Sequence, residues 1–202
     1  MSIVTNSSML SDPCERIALR SQELKLVFLG LMMSLPALMD PSLPILAVEL
    51  SRAGVDPAGD MPIVLHDGEH EKLQYSLREV LTKVTHLRGD VLARDVMSIG
   101  MMQGATRLHD LLLQEKLMRR DVPLLEFVAR FRNACAHGDR WHFKQNEPDP
   151  KFPAVHRRLT LTADLHGKRA TWTTVTPRLY VELLDDFSNH FLPGVVPPPT
   201  GP

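Results

Sequence analysis

Apolar positions recur along most of this chain at three- and four-residue intervals, the period of a helix with one buried face. Ser11-Asp12-Pro13 reads as a helix start, a capping residue followed by proline in the first turn, and that helix is expected to run to about Leu35. Its last part is the apolar run from Leu26 to Met39, about 14 residues against the roughly 20 that cross a bilayer. With Pro36 inside it and acidic residues before it, the run is predicted to be a buried core helix rather than a membrane segment or a signal peptide. Pro41 and Pro44 frame a shorter helix ending near Ala53-Gly54, and 55–62 reads as a loop. Leu73, Leu77, Val80, Leu81 and Val84 predict a helix over about 69–87. A long helical region over 91–120 follows, with Gly100 and Gly104 as candidate breaks. Asp121 is the expected cap of the next helix, with Pro123 in its first turn and Gly138 at its end.

The pattern changes after Gly138. Residues 139–156 carry Pro148, Pro150 and Pro153 and read as a loop that Trp141 and Phe143 anchor to the core. Residues 158–164 and 170–175 alternate on either side of His166-Gly167-Lys168, which predicts a β-hairpin over about 157–175. Pro177 opens a last helix to about Leu192, with Leu179, Leu183, Phe187 and Phe191 on one stripe. The expected fold is therefore mainly α: a helical bundle with a β-hairpin inserted before the C-terminal helix, one domain over 1–192. Residues 1–10 are predicted to fray, and the Pro-rich tail 193–202 to be disordered.

Composition narrows the function. The chain has 202 residues, 44% of them hydrophobic, enough for a sizeable core. The net charge of -1 provides no global basic field, so any nucleic-acid binding must rest on local arginines and histidines. Cys14 and Cys135 form no CxxC motif, which excludes a zinc ribbon; free thiols fit a reducing cytoplasm, the expected location. His66 and His70 have HxxxH spacing, but Asp67-Gly68 between them reads as a helix start, so no metal site is expected. Neither a cofactor nor a membrane partner is expected.

The segment Arg132-Asn133-Ala134-Cys135-Ala136-His137-Gly138 carries the chemistry. At about 100° per residue, Leu124, Phe127, Val128, Phe131 and Cys135 form one apolar stripe, while Arg132, Asn133 and His137 fall on the other side. Ala129 and Ala136 keep the polar face thin, so a substrate or a second helix can come close. His137 sits in the last turn, where the helix favours a cation. Cleaving RNA requires a proton to leave the 2′-hydroxyl, a proton to reach the departing 5′-oxygen, and stabilisation of the phosphoryl group. Histidine supplies proton transfer, and arginine supplies a forked clamp for phosphate. The motif holds one histidine, so a symmetric dimer would bring two histidines and two arginines to one cleft. Arg130, Arg140 and His142 flank the motif as candidate RNA contacts, His142 also as a second imidazole; the competing readings are solvated charges for the two arginines and loop packing beside Trp141 for His142.

Arginine followed five places later by histidine is expected about 0.7 times by chance in such a chain; requiring Asn133 and Gly138 as well lowers this to about one in a thousand. The segment resembles the RNxxxH signature of the HEPN superfamily. That resemblance implies an all-helical, often dimeric, metal-independent endoribonuclease of toxin–antitoxin or phage-defence systems. RNA would be its substrate, and an antitoxin or other regulatory protein a further partner. It places the catalytic pair on Arg132 and His137, and the family's polar residue on Asn133. The hairpin and the 139–156 loop go beyond the minimal HEPN bundle. The alternative is a non-catalytic HEPN-type module that uses the same face for dimerisation or for nucleotide or RNA binding.

Overall fold

A computed structural model of the chain describes residues 12–39, 62–67, 71–76 and 89–194. Among them the protein is mainly α. In order come α1 (Pro13–Met39), β1 (Pro62–Asp67), β2 (Glu71–Ser76), α2 (Gly89–Gln114), α3 (Pro123–Ala136), the two-residue strands β3 (Val155–His156) and β4 (Leu159–Thr160), a 3-10 turn (Ala163–Leu165) and α4 (Pro177–Phe191). No helix among the described residues is long and apolar enough to cross a membrane.

The chain divides into two compact units, one from Met1–Phe28 with Met97–Pro202 and one from Leu29–Val96. The first holds the motif helix. Its core comes from Ile17, Ala18 and Phe28 of α1, from Met97, Met101, Ala105, Leu108 and Leu112 of α2, and from Leu125, Phe127, Val128, Phe131 and Ala134 of α3. Tyr180, Leu183, Leu184 and Phe187 of α4 complete it. The buried residues of α2 follow each other at intervals of three and four, so one stripe of this long helix faces inward. Two buried serines fasten α1 to α4 reciprocally: Ser21 donates to the Leu184 carbonyl, and Ser188 to the Ala18 carbonyl. Neither Gly100 nor Gly104 breaks α2. At Gly104 a Cβ would stand 1.6 Å from the Tyr180 hydroxyl, so the missing side chain is what lets α4 come this close.

The second unit contains the end of α1, the start of α2 and an antiparallel pair in which Pro62 faces Ser76 and Asp67 faces Glu71. The helix expected over about 69–87 gives way over 71–76 to β2, while the loop expected over 55–62 lies outside the described residues except for Pro62, which opens β1. Asp67 is the last residue of β1 and faces Glu71, so it extends a strand rather than starting a helix. His66 lies on β1, and His70 lies outside the described residues, as do the expected helix over 44–54, the 77–88 part of the expected third helix, the N-terminal ten residues and the tail beyond 194. The apolar run of α1 differs from its expectation too. Helix α1 continues past Leu35 to Met39, and although Phe28 and Leu35 are buried, Leu26, Val27 and Met33 are 69%, 70% and 80% exposed.

The hairpin expected over about 157–175 is also revised. Leu159–Thr160 pairs with Val155–His156, and the segment 170–175 closes on itself through a bridge between Thr171 and Val175. What holds 169–171 is the loop after α3: the Asp139 carboxylate accepts from the Thr171 amide and hydroxyl and from Arg169 Nε.

His156, on β3, packs 5.6 Å from the Phe127 ring and is buried. Its Nε2 lies 3.0 Å from Asp186, while Nδ1 is buried without a hydrogen-bond partner. Burial holds this imidazole below its ordinary value, against the opposing pull of Asp186. The buried form is therefore neutral while the unfolded chain still binds a proton. Its contribution is intact above the unfolded value of about 6.5 and is lost as the pH falls through the lower folded value. Resistance to urea should thus decline on acidification from about pH 6.5 downward, and His156→Gln, which keeps a donor for Asp186 but does not titrate, should flatten the decline. An unchanged slope in the variant would remove His156 as its source.

Candidate functional site

Helix α3 begins with Pro123 in its first turn, as expected, but Val122 rather than Asp121 is the N-cap residue, and no side chain caps it. The Asp121 carboxylate is taken by Arg119 at 2.6 Å. At the other end Gly138 and Asp139 both adopt positive φ, +70° and +63°, and the Arg140 amide donates back to the Ala134 carbonyl. Glycine takes that conformation without strain and aspartate tolerates it, so the helix stops and the chain reverses.

The chain then runs with strict alternation. Trp141 and Phe143 are buried, whereas Arg140, His142 and Lys144 are exposed. Trp141 packs against Phe127 and Phe131 and donates from Nε1 to Thr174; the Phe143 amide donates to His166 Nδ1. The anchoring expected of Trp141 and Phe143 thus leaves a row of cationic or protonatable side chains on the outer side. Their two-residue spacing could have been read as this inside–outside pattern.

That row meets the end of α3 at a hollow of about 250 Å³, lined by Arg130, Asn133, His137, His142, Lys144 and Glu147. It is smaller than the pockets that enclose whole ligands. His137 is exposed and stacks on His142, with ring centroids 4.2 Å apart and planes at 29°. On its other side, His142 lies 5.5 Å from His166. Lys144 and Glu147 line the hollow although the motif does not point to them, and His166 adjoins it through His142.

Three expected residues take different positions. Arg132 does not line this hollow; about 140° separates it from His137 around the helix. It bears instead on His109 of α2, whose imidazole is held below its ordinary value by burial first and the Arg132 charge second. Arg130 lines the hollow but is no loose RNA contact. It is buried, with Glu126 at 2.8 Å and Glu147 at 2.7 Å, and it keeps the Glu147 carboxyl below the usual carboxylate range. Arg140 is exposed and donates to the Gly167 carbonyl.

Cys135 faces inward from the same helix. Burial, reinforced by the Asp139 charge, pushes its thiol up to about 12, so it stays protonated and is a poor nucleophile. Among the described residues no group of three or more histidines, cysteines or carboxylates is placed to hold a metal ion. No protein-family model, curated protein or solved structure matches the chain.

Proposed function

We propose that this protein is a metal-independent endoribonuclease whose reacting centre is the hollow at the end of α3. The observation that carries this reading is the convergence there of an exposed imidazole, His137, a carboxamide, Asn133, and a cation, Lys144, within reach of one phosphate. His137 transfers a proton, and Asn133 orients the phosphate or the ring. The RNxxxH resemblance to HEPN nucleases supports the same assignment, together with a toxin–antitoxin or phage-defence setting and a regulatory partner. Because Arg132 does not line its own chain's hollow, its clamp on the phosphate is assigned to the hollow of a second copy in a homodimer.

The test is cleavage of total RNA in EDTA. His137→Ala should lower the rate by about 10²–10⁴-fold. An equal mixture of Arg132→Ala and His137→Ala should recover about a quarter of wild-type activity, the statistical yield of one competent site in half of the dimers. Full activity in His137→Ala would overturn the nuclease reading, and a dead mixture would overturn the shared arginine.

A further inference from the structure

The hollow holds two imidazoles, and the reaction needs two proton transfers. We propose that His137 and His142 of the same chain are the proton-transfer pair, with Lys144 holding the phosphate against their edges; this rests on the endoribonuclease reading above.

Four observations carry it. The rings are stacked at 4.2 Å, so their edges lie side by side and open to the same space rather than bonding to each other. Both are exposed and both line the hollow. Lys144 lines the same hollow, so a cation stands beside both rings. Finally, His142 is held in place by its neighbours. Trp141 and Phe143 are buried on either side of it in the chain, and both are fixed by hydrogen bonds, to Thr174 and His166. A surface histidine with no task would not need so firm a mount.

The step balances without any further reagent. A neutral ring takes the 2′-hydroxyl proton as the O2′–P bond forms. The P–O5′ bond breaks, and the protonated ring gives its proton to the 5′-oxygen. The products are a 2′,3′-cyclic phosphate and a 5′-hydroxyl, and the two rings exchange protonation states. Lys144 and Arg130 offset the charge of the phosphate and of Glu147, the one carboxylate lining the hollow.

The experiment uses the full-length protein, an oligonucleotide spanning a cleavage site mapped in total RNA, and the same oligonucleotide with sulfur replacing the bridging 5′-oxygen at that site. A thiolate leaves without being protonated. On the natural linkage His137→Ala and His142→Ala should each lose about 10²–10⁴-fold. On the sulfur linkage one of the two, the variant lacking the acid, should return to near wild-type rate while the other stays slow. Rescue of both or of neither overturns the division of roles. His142→Asn, which keeps a polar side chain of similar breadth, should be as slow as His142→Ala on the natural linkage, with an unchanged thermal melt; retained cleavage in either variant overturns the proposal. An equal mixture of His137→Ala and His142→Ala should stay inactive, because no chain then holds both rings. Recovery to about a quarter of wild type would place the two histidines in different chains and overturn it. Failure of the wild type to cleave RNA in EDTA would instead sink the nuclease reading on which the pair depends.

Discussion

Asp139→Ala is expected to cost about 2–4 kcal/mol of unfolding free energy, a large part of the roughly 5–15 kcal/mol that keeps a domain folded. The carboxylate is buried and serves three donors. One oxygen accepts from the Thr171 amide at 2.8 Å; the other accepts from the Thr171 hydroxyl at 2.6 Å and from Arg169 Nε at 2.6 Å. Thr171 is fully buried, so its amide loses a partner that water cannot replace, at about 1–3 kcal/mol, while its hydroxyl keeps only Ser98. The Arg169 side chain is partly exposed, and solvent screening makes its share small. Alanine also sits less well than aspartate at φ +63°. Asp139→Asn keeps an acceptor for the amide and tolerates that φ, so it should cost about 1–2 kcal/mol. Urea unfolding of the three proteins reads the order directly. Equal midpoints for wild type and Asp139→Ala would mean that this carboxylate does not hold 169–171 to the end of α3.

Arg130→Ala should destabilise by a similar amount, about 3–5 kcal/mol, for a different reason. The guanidinium is nearly buried between two carboxylates. Without it, Glu126, only 3% exposed, keeps a contact to Arg120 at 3.4 Å, and Glu147 keeps the Lys144 amide but loses its ion pair. The rest of the cost is lost packing of the arginine stem. If the stranded Glu126 charge dominates, Arg130→Met should be nearly as damaging as alanine, and adding Glu126→Leu to it should recover most of the loss. If packing dominates, Arg130→Met alone should recover it. Either way the hollow loses a cation that offsets Glu147, so the proposed RNA cleavage should fall further than stability alone dictates.

Local signals survived folding and long-range ones did not. The proline in the first turn of α3, the glycine after it and the apolar spacing of α4 are short-range features, and all three appear where they were expected. Residues 71–76 fit both a helical stripe and an alternating pattern, and their pairing with 62–67 decides for a strand. The 170–175 segment alternates as a strand would, yet Thr171 is captured by a carboxylate 32 positions upstream, which no window on the sequence can contain. Arg130 was readable in part. Glu126 four positions before it is a pairing signal, but Glu147 arrives through the loop. At the hollow, Asn133 and His137 follow from the helix period alone, whereas Lys144 and His166 join through the course of the chain after Gly138.

The alternation from Arg140 to Lys144 makes one reading frame serve two purposes. Trp141 and Phe143 belong to the core and His142 and Lys144 to the hollow, with nothing between them to absorb a slip. A single residue inserted or deleted just after Asp139 would exchange the two sets, turning an indole into solvent and an imidazole into the core. Length at this point is therefore constrained as tightly as identity, and a homologue that had drifted here by one residue would have lost its anchor and its chemistry in the same event.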